Sequence, residues 1–350
     1  MSDSLLYEFA KTQGASFKDW FGVNLPDVFK DFSAELRTAR TGSAWFDSSF
    51  RSIIEISGAD AASLIDRITS NNIQKLGVGE SAQTGFLNPH AKVLATAFVL
   101  KKKDSLWLET QANLAEKLKS YIEKFIFSED AKLTDKSRDL VCIGIEGPSS
   151  EETLIQLGMS PPRSMDSPVK PGNDSVYDIE WNKIPLTIFA RSWSVNGGFS
   201  IFTPSQHLHS FLAKLERVPW AGMKTLNLLR IEKGVPWYGL DMDENYLLPE
   251  TGLEEAISYS KGCYTGQEIV ARIKSRGQLK RKLARLLIQT SSTPAPNTEV
   301  KFKDQTIGHI TSAEFDPEKK VVQALGYLKV EYITPSNSLA VGESKAVIRL

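Results

Sequence analysis

Cysteine and histidine are scarce: two cysteines (Cys142, Cys263) and four histidines (His90, His207, His209, His309) in 350 residues. Two thiols exclude a disulfide framework and a self-contained cysteine-rich zinc or cluster site. His207 and His209 lie two apart with no cysteine or acid at ligand spacing, which argues against a dedicated metal centre. Net charge is lacking too, since 42 basic residues balance 42 acidic ones. Nucleic acid and anionic lipid therefore have no global electrostatic attraction to the chain. No apolar run approaches the roughly 18 residues that a membrane helix needs. The first residues, with Asp3 and Glu8, have the form of neither a secretory signal nor an Arg-rich transit peptide. The expected setting is the cytoplasm or an equivalent reducing space, with no membrane partner.

What is present is a globular composition, 41% hydrophobic and 24% charged, over a length that implies two or three domains. Period-3.6 patterns predict helices near residues 31–40, 61–68, 114–127, 151–157, 206–215 and 222–233. Strands are expected at 44–47, 50–56, 83–87, 92–101, 106–109, 140–145, 176–181, 186–191 and 199–203. A proline-bearing stretch, 160–175, reads as an exposed connection. Beyond residue 280 short strands punctuated by Pro, Asn and Gly suggest a small β-barrel or sandwich. The fold class is α+β.

The most informative segment is Lys261-Gly-Cys-Tyr-Thr-Gly-Gln-Glu-Ile-Val-Ala-Arg272. Thr265 and Glu268 have the spacing of a capping box ahead of an apolar run. Cys263 would then sit two residues before a helix start, where the dipole favours a thiolate. Lys261 adds a cation, Gly262 and Gly266 permit a tight turn, and Glu268 and Arg272 share a helix face. Cys142, in Leu-Val-Cys-Ile-Gly-Ile, reads instead as a small hydrophobe in a buried strand.

This segment resembles the signature of the YgfZ family, K-G-C-[FY]-x-G-Q-E-x-x-x-R, and matches it at every fixed position. Other stretches look like the same family and its folate-binding relatives, the glycine-cleavage T-proteins. They include Phe46-Asp47-Ser48, Gly85-Phe-Leu-Asn-Pro89, Glu146-Gly-Pro148, Arg230-Ile-Glu-Lys-Gly234 and Pro249-Glu-Thr-Gly-Leu253. The resemblance implies a three-domain ring with a central folate-binding funnel. Residues 1–50 with 138–278 would form a discontinuous folate-binding domain, 51–137 an inserted α+β domain of ferredoxin-like character, and 279–350 a C-terminal β-barrel. It implies an accessory protein in the assembly or repair of iron–sulfur clusters, indirectly supporting tRNA-modifying radical enzymes. Its cofactor would be tetrahydrofolate or a derivative. Cys263, with Lys261 beside it, would hold a transient [2Fe–2S] or [4Fe–4S] cluster shared with an A-type scaffold protein and passed to client enzymes, because one thiolate cannot satisfy a cluster.

The T-proteins place a catalytic acid on the strand after the equivalent of Lys92. Here that strand, Val93-Leu-Ala-Thr-Ala-Phe98, has no carboxylate, and proton transfer needs a positioned titratable group. The expected folate contacts are Arg230, Glu232, Asn196, Trp237, Tyr238, Glu250, Gln267 and Arg272. Arg230 reads equally as a structural ion pair with an acid such as Glu254, and Trp237 and Tyr238 as core. Two other functions stay open: a folate-dependent one-carbon transferase or demethylase, and a tRNA-binding factor using the basic stretch 272–285. Without interleaved aromatics that stretch favours an acidic partner over nucleic acid.

Overall fold

The structure is a computed structural model that describes residues 2–159, 175–215, 218–277, 279–335 and 337–349. All but the last residue of the expected connection at 160–175 lies outside these. The fold is α+β, with two five-stranded sheets, a small three-stranded sheet and a closed six-stranded barrel. The first sheet runs Val176–Trp181, Ile184–Phe189, Gly198–Pro204, Leu140–Glu146, Ala44–Asp47. Its last pairing joins distant sequence, with Ile143 opposite Asp47 and Glu146 opposite Ala44. The chain between them builds the second sheet: Ser81–Leu87, Val93–Lys101, Ser105–Gln111, Arg51–Ser57, Lys132–Asp135.

Local sequence explains these elements. In Val93–Lys101 the alternate residues Val93, Ala95, Ala97 and Val99 are buried in one core, as period-2 geometry requires. The helix Ala61–Ile68 buries Ala61, Leu64, Ile65 and Ile68 against that core. The helix Phe32–Thr41 starts at Asp31, whose carboxylate accepts from the Ala34 amide at 2.7 Å, a standard N-cap. The faces of the two large sheets away from their helices meet. Ile53, Phe98, Leu100 and Trp107 of the second pack with Cys142, Phe189 and Phe202 of the first.

Two local features differ from expectation. Residues 7–28 carry a helix, Tyr7–Thr12, and a hairpin, Ser16–Trp20 with Val23–Val28, that no period in the sequence announces. The hairpin turns through Phe21 and Gly22, both at positive φ (61° and 84°), a geometry normally signalled by Asn-Gly. The helix expected at 114–127 is shorter, Ala115–Glu123, so Phe127 is exposed at 86%.

The helix Met223–Lys233 is buried on nearly every side and ends in a left-handed Gly234. It lies against the barrel strand Gln305–Asp316. An ionic cluster reinforces this junction. Arg40 reaches Glu232 at 2.7 Å, Asp316 at 2.6 Å and Glu318 at 2.8 Å, while Lys319 and Gln323 also bond Glu232. Burial acts to raise the Asp316 carboxyl, but bonds from Arg40, the Lys319 amide and Gln323 hold it at about 2, below its ordinary 3.8. A carboxylate depressed in the fold stabilises above its unfolded pKa and loses that contribution as pH falls through the folded value. Stability of the full chain should therefore drop between about pH 4 and pH 2, and Asp316→Asn should flatten the slope in that window. Urea unfolding of both proteins across the range checks this; parallel slopes would refute it.

Candidate functional site

A central cavity lies between the second sheet and two loops that cover it. From the second sheet come Arg51, Gln83, Thr96, Phe98 and Gln111; Trp193 comes from the loop before Gly198–Pro204, and Val235 to Tyr238 from the loop after the helix Met223–Lys233. No carboxylate, imidazole or thiol is among the lining residues. Behind the lining lies a buried ionic clamp. Glu109, fully buried, accepts from Arg51 Nε and Nη2, both at 2.7 Å, and from Arg191 Nη2 at 2.8 Å. Burial works against the Glu109 charge, yet Arg191 and then Arg51 hold its carboxyl below the ordinary range. The two guanidiniums also flank Trp193, at 3.9 Å (Arg191) and 5.4 Å (Arg51) from its ring.

Trp193 is 6% exposed and meets Trp237 edge-on at 5.6 Å. Its backbone is fixed as well. Glu146 accepts from the amides of Trp193 (2.9 Å) and Ser194 (3.0 Å) and from Ser192 Oγ (2.5 Å). With these rings in place the cavity holds about 10 Å3, the space of a single water. A pterin does not fit in this arrangement.

Trp237 and Tyr238, expected at the folate site, line this cavity. Trp237 is packed among Trp20, Phe21, Phe50 and Trp193, and its indole N–H has no acceptor among the described residues. The Tyr238 backbone exchanges two hydrogen bonds with Gln111, at 3.0 and 3.1 Å.

The remaining expected contacts lie elsewhere, and several readings are corrected. Arg230 is fully buried. It pairs with Asp241 and also donates to Asn227 Oδ1 (3.0 and 2.8 Å), Val235 O (3.2 Å) and Ser312 Oγ (2.6 Å). Each of its guanidinium nitrogens is engaged, so it is a structural pair, with Asp241 rather than Glu254. Glu232 is held in the junction cluster described above. It lines, with Asn196, Arg40, Arg285, Lys319 and Arg349, an open cleft of about 330 Å3 beside the barrel. Glu250 secures its own loop, accepting from the Leu247 amide at 3.0 Å and from Arg281 at 3.1 and 3.2 Å.

The thiol segment is a loop leading into the helix Gln267–Arg276. Cys263 is exposed. The capping box does not form: the N-cap is Gly266, in the left-handed region at φ 82°, and Glu268 instead pairs with Arg272 at 2.7 Å on an exposed helix face. Gly266 has a packing reason, because a Cβ there would come within 2.9 Å of Asn88 O and Ala91 Cα. Lys261 does not serve as a free cation beside the thiol. Its side chain is 1% exposed, and its ammonium binds the carbonyls of Asp66, Thr69 (2.9 Å) and Asn71 (2.8 Å), with the Asp66 carboxylate at 3.4 Å. Burial draws it below the ordinary lysine range, opposed by Asp66. It thus caps the C-terminal end of the helix Ala61–Ile68. Gln267 reaches back to the Lys261 carbonyl, at 3.4 Å.

Three cations of the basic stretch are paired with acids: Arg281 with Glu250, Lys282 with Glu254 and Arg272 with Glu268. Among the described residues no group of three His, Cys, Asp or Glu could hold a metal ion, and no helix is long and apolar enough to cross a membrane. The sequence reading missed Arg51, Glu109, Arg191 and Trp193. A signal existed in the alternation Trp107, Glu109, Gln111, which puts an acid on one strand face between residues of burying size.

Two α+β units round a central cavity, with a closed barrel behind, define the structural class. The chain belongs to the GCVT N-terminal domain family, whose match covers residues 6–261. It is similar to the aminomethyltransferase of a Thermoanaerobacter species, 24% identical over 343 residues, 96% of this chain and 92% of that one. The aminomethyltransferase of Thermosipho melanesiensis is 27% identical over 333 residues, 93% and 88%. Among solved structures, glycine cleavage system aminomethyltransferase T from Bartonella henselae superposes with a TM-score of 0.86 at 20% identity, covering 99% of this chain and 96% of that one. At that identity the likeness establishes the fold.

The Arg230–Asp241 pair gives a stability prediction. Removing one member of a buried pair leaves the other charge uncompensated, typically at a loss of about 3–5 kcal/mol. Asp241→Ala should destabilise by that order in chemical denaturation; a loss under about 1 kcal/mol would contradict the assignment.

Proposed function

We propose that this protein is a folate-binding accessory factor in the assembly or repair of iron–sulfur clusters, and that it does not carry out the aminomethyl transfer for which its relatives are named. The carrying observation is the pair of cysteine environments. Cys263 stands exposed in an ordered loop, whereas Cys142 is buried between the sheets, where burial and then Glu109 push its thiol far up. Cys263 is the thiol that a partner can reach. One thiolate is too few for a cluster, so the cluster is cargo. An A-type scaffold protein would supply the remaining ligands, and client enzymes, including those that modify tRNA, would receive the product.

The cavity wall supports the second half of the proposal. Acid–base catalysis needs a titratable group within reach of the proton it moves. The strand Val93–Lys101 contributes Thr96, Ala97 and Phe98 to the wall, and Glu109 behind it is committed to two arginines. Since the cavity in its present form does not admit a pterin, folate binding requires a rearrangement of its walls, and no chemical step is assigned to it. A transferase remains the second reading, favoured by the match to aminomethyltransferases over at least 88% of their own lengths in both relatives described.

Anaerobic reconstitution with iron, sulfide and an A-type scaffold protein tests the proposal. The wild-type mixture should develop a stable cluster absorption that Cys263→Ser reduces at least about tenfold. Equal spectra from the two proteins would overturn the thiol assignment. Catalytic formation of methylene-tetrahydrofolate from tetrahydrofolate and an aminomethyl donor would favour the transferase instead.

A further inference from the structure

The central cavity combines an aromatic slot, two guanidiniums and a buried indole N–H. A planar bicyclic side chain, Trp193, lies against the Arg191 guanidinium at 3.9 Å with Arg51 at 5.4 Å. Both arginines are fixed from behind by one buried carboxylate, Glu109. Trp237, which lines the same cavity, keeps a buried indole N–H with no acceptor among the described residues. An unpaired buried donor is costly, and it is satisfied at once by a ligand that brings an acceptor. The backbone under Trp193 is pinned by Glu146, so any displacement at this position would be one of the side chain rather than of the loop.

We propose that Trp193 is an internal plug, its indole occupying the slot that a fused bicyclic heterocycle takes when the site is filled. The proposal rests on the folate reading above and explains why the cavity in this conformation has room for about one water. Indole and pteridine are both flat fused rings, and guanidinium groups stack on either. The entering ring displaces Trp193 and takes its place against Arg191 and Arg51. Trp237 then donates to a ring nitrogen or carbonyl. The lining offers guanidinium and indole donors and no carboxylate, with amides and a hydroxyl that both donate and accept, so it favours a heterocycle edge rich in acceptors. Trp193 is thereby the residue that sets both the size of the ring admitted and the affinity, because its own packing must be given up on binding.

The test compares wild type and Trp193→Ala as full chains, titrated with 5-formyltetrahydrofolate by calorimetry and with indole by thermal shift. The variant should bind the folate at least about tenfold more tightly than wild type, and indole should stabilise the variant alone by refilling the vacated slot. Folate binding by wild type that is unchanged or weaker in the variant overturns the plug and leaves the folate reading standing. Failure of indole to stabilise the variant overturns the slot geometry. Indole uptake with no folate binding by either protein overturns the folate reading and with it the ligand class assigned here. Should the alanine variant fail to fold, Trp193→Leu keeps more apolar contact and carries the same comparison, with a gain of several-fold expected and no gain counting against the plug.

Discussion

The Asp241 carboxylate receives Arg230 from the central helix, the Trp237 amide at 3.0 Å from the following loop, and Thr311 Oγ1 at 2.6 Å from the barrel. The central helix, the loop that follows it and a barrel strand 70 residues further on are thus tied at one buried point. Arg230 adds a second tie to the barrel through Ser312, and its guanidinium lies 4.8 Å from the Trp237 ring. The position of Trp237 and Tyr238 at the cavity follows from this arrangement. An apolar replacement would fill the space, but it would not fix the direction in which the loop leaves the helix. A charge pair in a low-dielectric interior is demanding in geometry, and here that demand orients the cavity wall.

The fold was legible where one face of an element is dry and the other wet. The helix Ala61–Ile68 and the strand Val93–Lys101 declare themselves by period, and the short punctuated strands after residue 280 foretell the barrel. The hairpin Ser16–Trp20/Val23–Val28 did not, because its turn uses Phe21 where glycine or asparagine is usual. The site was less legible. Charged residues such as Arg230, Glu232 and Lys261 read as ligand-facing in a sequence, since most charged side chains are exposed. Here they are buried because they find partners from Asp241, Arg40 and the carbonyls at 66, 69 and 71. Arg40 and the carbonyls at 66, 69 and 71 lie about 190 residues from Glu232 and Lys261 and leave no local trace. The capping box failed for a different reason: Gly266 is left-handed where the chain packs closely against residues 88–91, and the helix starts past Thr265.

That packing also joins the two parts of the candidate site. The thiol loop rests on the turn at residues 88–91, and the strand leaving that turn, Val93–Lys101, carries Thr96 and Phe98 into the cavity wall. Lys261, two residues before the thiol, is anchored to the end of the helix Ala61–Ile68, which packs beneath the same sheet. Cys263 and the cavity are therefore not independent features of a surface and a core. The thiol loop and one part of the cavity wall share a hairpin of the second sheet. Packed elements of this kind transmit shifts as rigid units rather than absorbing them. A ring that entered the cavity against Thr96 and Phe98 would press on the hairpin that supports the thiol loop, and a partner bound at Cys263 would load the same hairpin from its turn. Were the two ligands coupled through it, reciprocity of binding free energies would make each alter the affinity for the other by the same factor.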